Sequence, residues 1–186
     1  MSKDAVEEVR KLAEADLITF VRLVAPYNVM GTCHEELCKF ITNPDLKPYK
    51  LILYPRAHRK SFSAACEAAH EIVKNPAISI VYLSATSDHA EAQLRAIKGI
   101  LDSPIVRRYW PELINADEGK REKWTTTEIC VDDPRRKAEG TRDSTVKAGG
   151  LTTNITGAHC DLIILDDIVV PKNNTEEGRR QVMAQY

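Results

Sequence analysis

An α/β fold, with a mainly parallel sheet flanked by helices, is predicted by three observations. Leu162-Ile163-Ile164-Leu165 is a run of bulky aliphatics without polar alternation, the pattern of a buried strand in a parallel sheet. Ile78-Ser79-Ile80-Val81-Tyr82-Leu83 and Lys50-Leu51-Ile52-Leu53-Tyr54 are two further strand-like segments. Each of these two leads into a helical pattern, and that βαβα order selects parallel strands joined by right-handed crossovers. A chain of 186 residues can bury one good core. Its 43% hydrophobic and 28% charged residues are those of an ordinary globular protein. A net charge of −1 excludes a strongly basic nucleic-acid binder, though not local phosphate contacts. Five cysteines include no C-x-x-C pair, and no second Cys/His pair completes a zinc site with Cys33 and Cys38, so they read as reduced, buried thiols. No apolar run approaches the ~20 residues of a membrane span. Asp4, Glu7 and Glu8 argue against a secretory signal.

In chain order, Val6, Val9, Ala13, Leu17, Phe20 and Val24 fall at helical spacing, with Asp4 and Glu7 as a capping-box-like pair and Pro26 as the stop. A second helix spans Cys33 to Ile41 and ends at Asn43-Pro44. After the strand at Lys50–Tyr54, the alanine-rich stretch through Val73 is a helix that Asn75-Pro76 breaks. The strand at Ile78–Leu83 gives way to Ser84-Ala85-Thr86-Ser87. Ser87 or Asp88 then caps a helix whose face is Ala90, Leu94, Ile97 and Leu101. From Pro104 to Lys147 the chain is polar, with short strands expected only near 126–131 and 144–148, which predicts a surface insertion or β-hairpin. Thr175 caps a last helix carrying Glu176 and Glu177 in its first turn. An α/β core of this kind continues past its acidic strand, so the chain is expected to be truncated at its C-terminus.

Two motifs carry chemistry. Asp166-Asp167 ends the strand at Leu162, where open α/β sheets bind ligands. Two adjacent carboxylates repel unless a cation or proton lies between them. A magnesium ion and an activated water explain the pair; a solvated acidic turn gives the same pattern. Pro55-Arg56-Ala57-His58-Arg59-Lys60-Ser61 follows a strand and opens a helix, as a phosphate-binding loop does, although Tyr54 and Arg59 stand at the two glycine positions of G-x-x-x-x-G-K-[ST]. A basic turn capping a helix reads the same in isolation. Together with the acidic strand, it points to a P-loop enzyme.

With both motifs in place, the chain resembles the amino-terminal ATPase region of phage terminase large subunits, the motors that package DNA into procapsids. The likeness is strongest to those of short-tailed podoviruses. It rests on Pro55-Arg56-x-His58-x-Lys60-Ser61, on Ile80-Val81-x-Leu83-Ser84-Ala85-Thr86, and on Ile155-Thr156-Gly157-x-His159-x-Asp161-Leu162-Ile163-Ile164-x-Asp166-Asp167 with Val169-x-Pro171-x-Asn173. The resemblance implies an ASCE-type P-loop NTPase, with residues 1–45 as a helical lid on the adenine side and 46–186 as an incomplete ATPase core without its nuclease domain. It implies ATP and Mg2+ as cofactors. Pro55, Arg56, Ala57, His58, Arg59, Lys60 and Ser61 would form the phosphate loop, with Lys60 on the β/γ-phosphates, Ser61 and Asp166 on magnesium, and Arg56 sensing the γ-phosphate in cis. Asp167 would polarise the attacking water, at a position where glutamate is more frequent. His34 lies near the position of an adenine-reading glutamine; a surface histidine reads the same.

In ring motors a neighbouring subunit supplies an arginine. Arg142 is the candidate, with Arg136 and Arg108 as rivals; a solvated loop charge is the plain alternative for each. The implied partners are double-stranded DNA, the portal protein, the small terminase subunit and further copies in a pentameric ring, with no membrane, in the host cytoplasm. Two other classes compete: a helicase-like P-loop motor, and a truncated interaction module without turnover. A metal hydrolase using His159, Asp161, Asp166 and Asp167 is disfavoured, because the first two precede the strand and the last two follow it.

Overall fold

In the computed structural model, β1 (Ile80–Ser84), β2 (Glu128–Ile129), β3 (Val146–Gly150) and β4 (Leu162–Asp166) form one sheet in the order β2-β3-β1-β4. Residues 3–28, 30–46, 48–55, 57–138, 140, 142–151, 153, 159–170 and 175–183 are described. β1 runs parallel to both β3 and β4, and β2 pairs antiparallel with β3. In that register Ser84 lies opposite Gly150 on one side and Asp166 on the other, so three strands end in one row. The α/β class with a mainly parallel sheet is therefore observed.

The helices are α1 (Lys3–Ala15), α2 (Leu17–Val24), α3 (Thr32–Thr42), α4 (Lys60–Lys74), α5 (Ser87–Leu101), α6 (Pro104–Tyr109), α7 (Pro134–Ala138) and α8 (Glu176–Met183). α5 packs on β1 and β3, and α4 packs on α5 and β4. The predicted apolar face of α5 is fully enclosed at Ala90, Leu94, Ile97 and Leu101. Phe20 of α2, His70 of α4 and Trp110 meet in the core, with ring centroids 5.3 Å and 6.0 Å from Phe20. Two polar bonds fix this junction: Trp110 Nε1 donates to Glu14 Oε1 at 2.7 Å, and His70 Nε2 donates to the Ala13 carbonyl at 3.0 Å. The amino-terminal helices thus share one hydrophobic core with the sheet.

The structure corrects several sequence expectations. The expected first helix is two, because Asp16 breaks it and caps α2, its carboxylate accepting from Thr19 N–H at 2.9 Å. Thr86, rather than Ser87 or Asp88, caps α5, accepting from His89 N–H. The stretch at 104–147 is more than a surface insertion. Trp110, Leu113, Ile114 and Val131 enter the main core, and β3, which follows it at once, is an interior strand. β2 does pair antiparallel with β3, as a hairpin would, but helix α7 intervenes.

Residues 50–54 join no strand ladder among the described residues. Leu51 and Leu53 in this segment are 78% and 81% exposed. β4 is accordingly an edge strand: Ile163 and Leu165, each 54% exposed, lie on the face opposite Ile164, and full burial on both sides is not realised. A cleft of about 470 Å³ separates β4 from the 50–54 segment, and both line it.

At the sheet's other end, Arg136 is buried. Its guanidinium donates to the carbonyls of Pro76, Ala77, Ile78 and Asp143, tying α7 to the entries of β1 and β3. A side chain spent on internal carbonyls cannot reach a neighbouring subunit, so Arg136 is removed from the arginine candidates.

Candidate functional site

The row formed by Ser84, Gly150 and Asp166 is the carboxyl edge of the parallel strands, where α/β sheets place ligands. Gly150 belongs there for steric reasons. A Cβ on it would stand 2.7 Å from Ser87 N and 3.0 Å from Thr86 C, so only glycine lets the start of α5 sit this close to β3.

The amino terminus of α4 arrives at the same edge. Lys60 Nζ lies 2.7 Å from Asp167 Oδ1, bringing together the two sequence motifs that lie far apart in the chain. Arg59 is the N-cap of α4 and supplies no side-chain cap, which leaves first-turn N–H groups facing outward. Such a helix start favours anionic oxygens.

Backbone strain concentrates in these two loops. Among the described residues, the non-glycine residues with positive φ are Ala57 (67°), Arg59 (53°) and Asp167 (47°). The left-handed region costs a residue with a Cβ about 1–3 kcal/mol, and surrounding structure must hold it there. Arg59, one of the two residues standing at glycine positions, thus keeps a glycine-type conformation without the glycine, and Ala57 does so two residues earlier; Tyr54, at the other glycine position, has no positive φ. Arg59 is steadied by a hydrogen bond to the Asn28 side chain.

The carboxylates differ sharply. Asp167 is exposed, whereas Asp166 is 6% exposed and accepts a hydrogen bond from the buried Tyr82 hydroxyl at 3.1 Å. Burial, reinforced by Asp166, raises the Tyr82 phenol well above its ordinary ionisation range, so it remains a donor. Glu67, two turns into α4, lines the cleft with Lys50, Lys60, Asp166 and Asp167. Its carboxyl is pushed up to about 7 by burial first and by Glu71 second, against the pull of Lys50 and Lys74.

The donor set fits magnesium better than a protein-built cage. No group of three or more His, Cys, Asp or Glu that could hold a metal occurs among the described residues. Mg2+ commonly takes one or two carboxylates and draws its other ligands from phosphates and water. Asp166 and the half-buried Ser61 hydroxyl are the residues that would hold it.

The remaining predicted residues fall as follows. Pro55, Ala57 and His58 are exposed, and His58 packs edge-on against Tyr54 with centroids 6.2 Å apart. The Tyr54 hydroxyl donates to the Cys33 carbonyl at 2.8 Å, which brings the start of α3 beside the loop. Next to it, His34 Nδ1 accepts from Gly31 N–H, so the neutral ring carries its hydrogen on Nε2, which is enclosed without a partner among the described residues. Arg142 is exposed just before β3, at the edge opposite Lys60 and Asp166, and so cannot serve the site of its own chain. Arg108 stacks over Tyr109 at 5.8 Å. Arg56 lies outside the described residues, as do 154–158 and 171–174 of the resemblance motifs. Asp161 accepts from Ser79 N–H at the amino-terminal edge, apart from Asp166. Tyr82, Glu67 and Gly150 were not singled out by sequence reasoning; strand register, which no local pattern displays, is what places them.

No family model matches the chain. The chain is similar to the terminase large subunit of Enterobacteria phage T3, 26% identical over 150 residues, which cover 80% of this chain and 24% of that protein. The resemblance to a terminase large subunit drawn from the motifs is thus borne out over most of the chain. The chain spans about a quarter of the length of that relative. Among the described residues, no helix is long and apolar enough to cross a membrane.

Proposed function

We propose that this chain is the ATP-hydrolysing part of a DNA-packaging motor, working with Mg2+ in a P-loop core of ASCE type. The observation that carries the reading is the convergence of Lys60 and Asp167, 2.7 Å apart, at the carboxyl edge of the sheet. Phosphoryl transfer asks a protein mainly for positioning and charge neutralisation. Lys60 and the open start of α4 supply positive charge for the β- and γ-phosphates. Magnesium, when bound, neutralises phosphate charge; Ser61 and Asp166 would hold it. Asp167 orients the attacking water. In the structure Asp167 is engaged by Lys60, and phosphates that draw the ammonium away would free the carboxylate for that water. His34, held beside the loop at the start of α3, is the residue assigned to the base, and the rest of the 1–45 segment closes the adenine side. Arg56 senses the γ-phosphate in cis.

The likeness to the T3 terminase large subunit supports DNA and packaging machinery as partners in general. Beyond that, the proposal takes double-stranded DNA as cargo, a portal protein and small subunit as partners, and a pentameric ring in which Arg142 of one copy completes the site of the next. Isothermal calorimetry of the chain with ATP and Mg2+ tests the nucleotide reading. Binding is expected in the wild type, with at least tenfold weaker affinity (about 1.4 kcal/mol) in Lys60→Ala. Stability should scarcely move, because a pair with a carboxylate this exposed contributes at most about 1 kcal/mol. Equal affinity in both proteins refutes the assignment. One observation favours a second reading: non-glycine residues held at positive φ in the loop. An interaction module without nucleotide turnover would give calorimetric silence in the wild type as well.

A further inference from the structure

Tyr82 is the central residue of the central parallel strand and is completely buried. It stands opposite Ile164 in β4, while Ser84 stands opposite Asp166. Alternate residues of a strand share a face, so Tyr82, Ser84, Ile164 and Asp166 lie on the same side of the sheet. A tyrosine ring directed along the strands spans the diagonal to the next same-face position on its neighbour. The hydroxyl accordingly meets Asp166 Oδ2 at 3.1 Å. Each group answers the other's need: a buried phenol and a buried carboxylate are both costly without a partner. The Asp166 carboxylate accepts no other hydrogen bond from the described residues, and its neighbour Asp167 takes Lys60 instead.

We propose that Tyr82 is a positioning residue that occupies one oxygen of Asp166 and so presents the carboxylate to a cation through the other oxygen alone. The assignment rests on the nucleotide reading above and goes beyond it by stating what sets the metal preference. A one-oxygen carboxylate suits Mg2+, which demands compact octahedral geometry and takes few protein ligands. Ca2+ readily takes both oxygens of a carboxylate. Holding Oδ2 in a hydrogen bond therefore discriminates between the two ions as well as orienting the ligand. Hydrogen bonds that orient a metal-binding side chain typically change metal affinity roughly 10–100-fold when removed.

The test is Tyr82→Phe, which deletes one oxygen and keeps the ring. Mn2+ binding to the chain in the presence of ATP is followed by electron paramagnetic resonance, and Mg2+ and Ca2+ are then competed against it. The variant should bind Mn2+ about tenfold more weakly and lose much of its preference for Mg2+ over Ca2+, while affinity for ATP without metal stays unchanged. A variant that only melts at lower temperature, with the same Mn2+ affinity and the same Mg2+/Ca2+ ratio, overturns the assignment and leaves the site reading standing. A wild type that binds no Mn2+ with ATP overturns both. Asp166→Asn retains an acceptor for the phenol and removes the charge: loss of Mn2+ binding at an unchanged melting temperature is expected, and retained binding also overturns the proposal.

Discussion

Arg136→Met separates a structural arginine from one that serves catalysis. Arg136 is 6% exposed, and its guanidinium donates to four carbonyls, those of Pro76, Ala77, Ile78 and Asp143. Methionine fills much of the stem volume but carries no donor, so all four carbonyls lose this partner in one step. Each buried carbonyl left without its donor costs about 1–3 kcal/mol, and with two of the four bonds long at 3.4 Å the sum is about 3–5 kcal/mol. For a domain of this size each kcal/mol lowers the melting temperature by about 2–4 °C, which predicts a drop of roughly 6–20 °C. Thermal unfolding followed by circular dichroism reads the shift, and nucleotide turnover measured well below the melting temperature should remain near wild type. A variant with unchanged melting temperature and abolished turnover would refute the clamp and restore Arg136 as an arginine given to a neighbouring subunit.

Glu67 makes stability depend on pH. Its carboxyl is raised from 4.5 to about 7, so the folded chain holds this proton more tightly than the unfolded chain does. The resulting stabilisation is complete below the unfolded value and is lost as pH rises through about 7. At about 1.4 kcal/mol per pH unit between the two values, the loss amounts to about 3 kcal/mol. Glu67→Gln should therefore exceed the wild type in urea unfolding at pH 8 and match it near pH 4; equal curves at both pH values would contradict the raised carboxyl. Gly150→Ala places a methyl 2.7 Å from a backbone nitrogen of α5, and overpacking of this kind costs about 1–3 kcal/mol, measurable as a lowered denaturation midpoint. An undiminished midpoint would show that α5 yields without cost.

The local chemistry of the chain was legible in one dimension. The face of α5 follows from 3.6-residue spacing. The pairing of Lys60 with an acidic strand end follows from two motifs whose roles are complementary. Of the two glycine positions of the loop motif, Arg59 adopts the left-handed backbone that explains the usage of glycine there, whereas Tyr54 does not. Other features were beyond a linear reading. Leu162–Leu165 has the composition of a strand covered on both sides, yet β4 is an edge, because whether a neighbour pairs with a strand depends on distant segments. Lys50–Tyr54 has strand composition and no ladder for the same reason.

Composition and periodicity, which act within a few residues, determined helices α3, α4 and α5, the parallel pairing of β1 with β4 and the two charged motifs. Tertiary structure alone decided that Arg136 is consumed by carbonyls from two strand entries, that Tyr82 reaches Asp166, and that Glu67 lies in a cleft raising its carboxyl to about 7. Each of these depends on strand register or on desolvation by remote chain, and both are properties of packing that no short window of sequence contains.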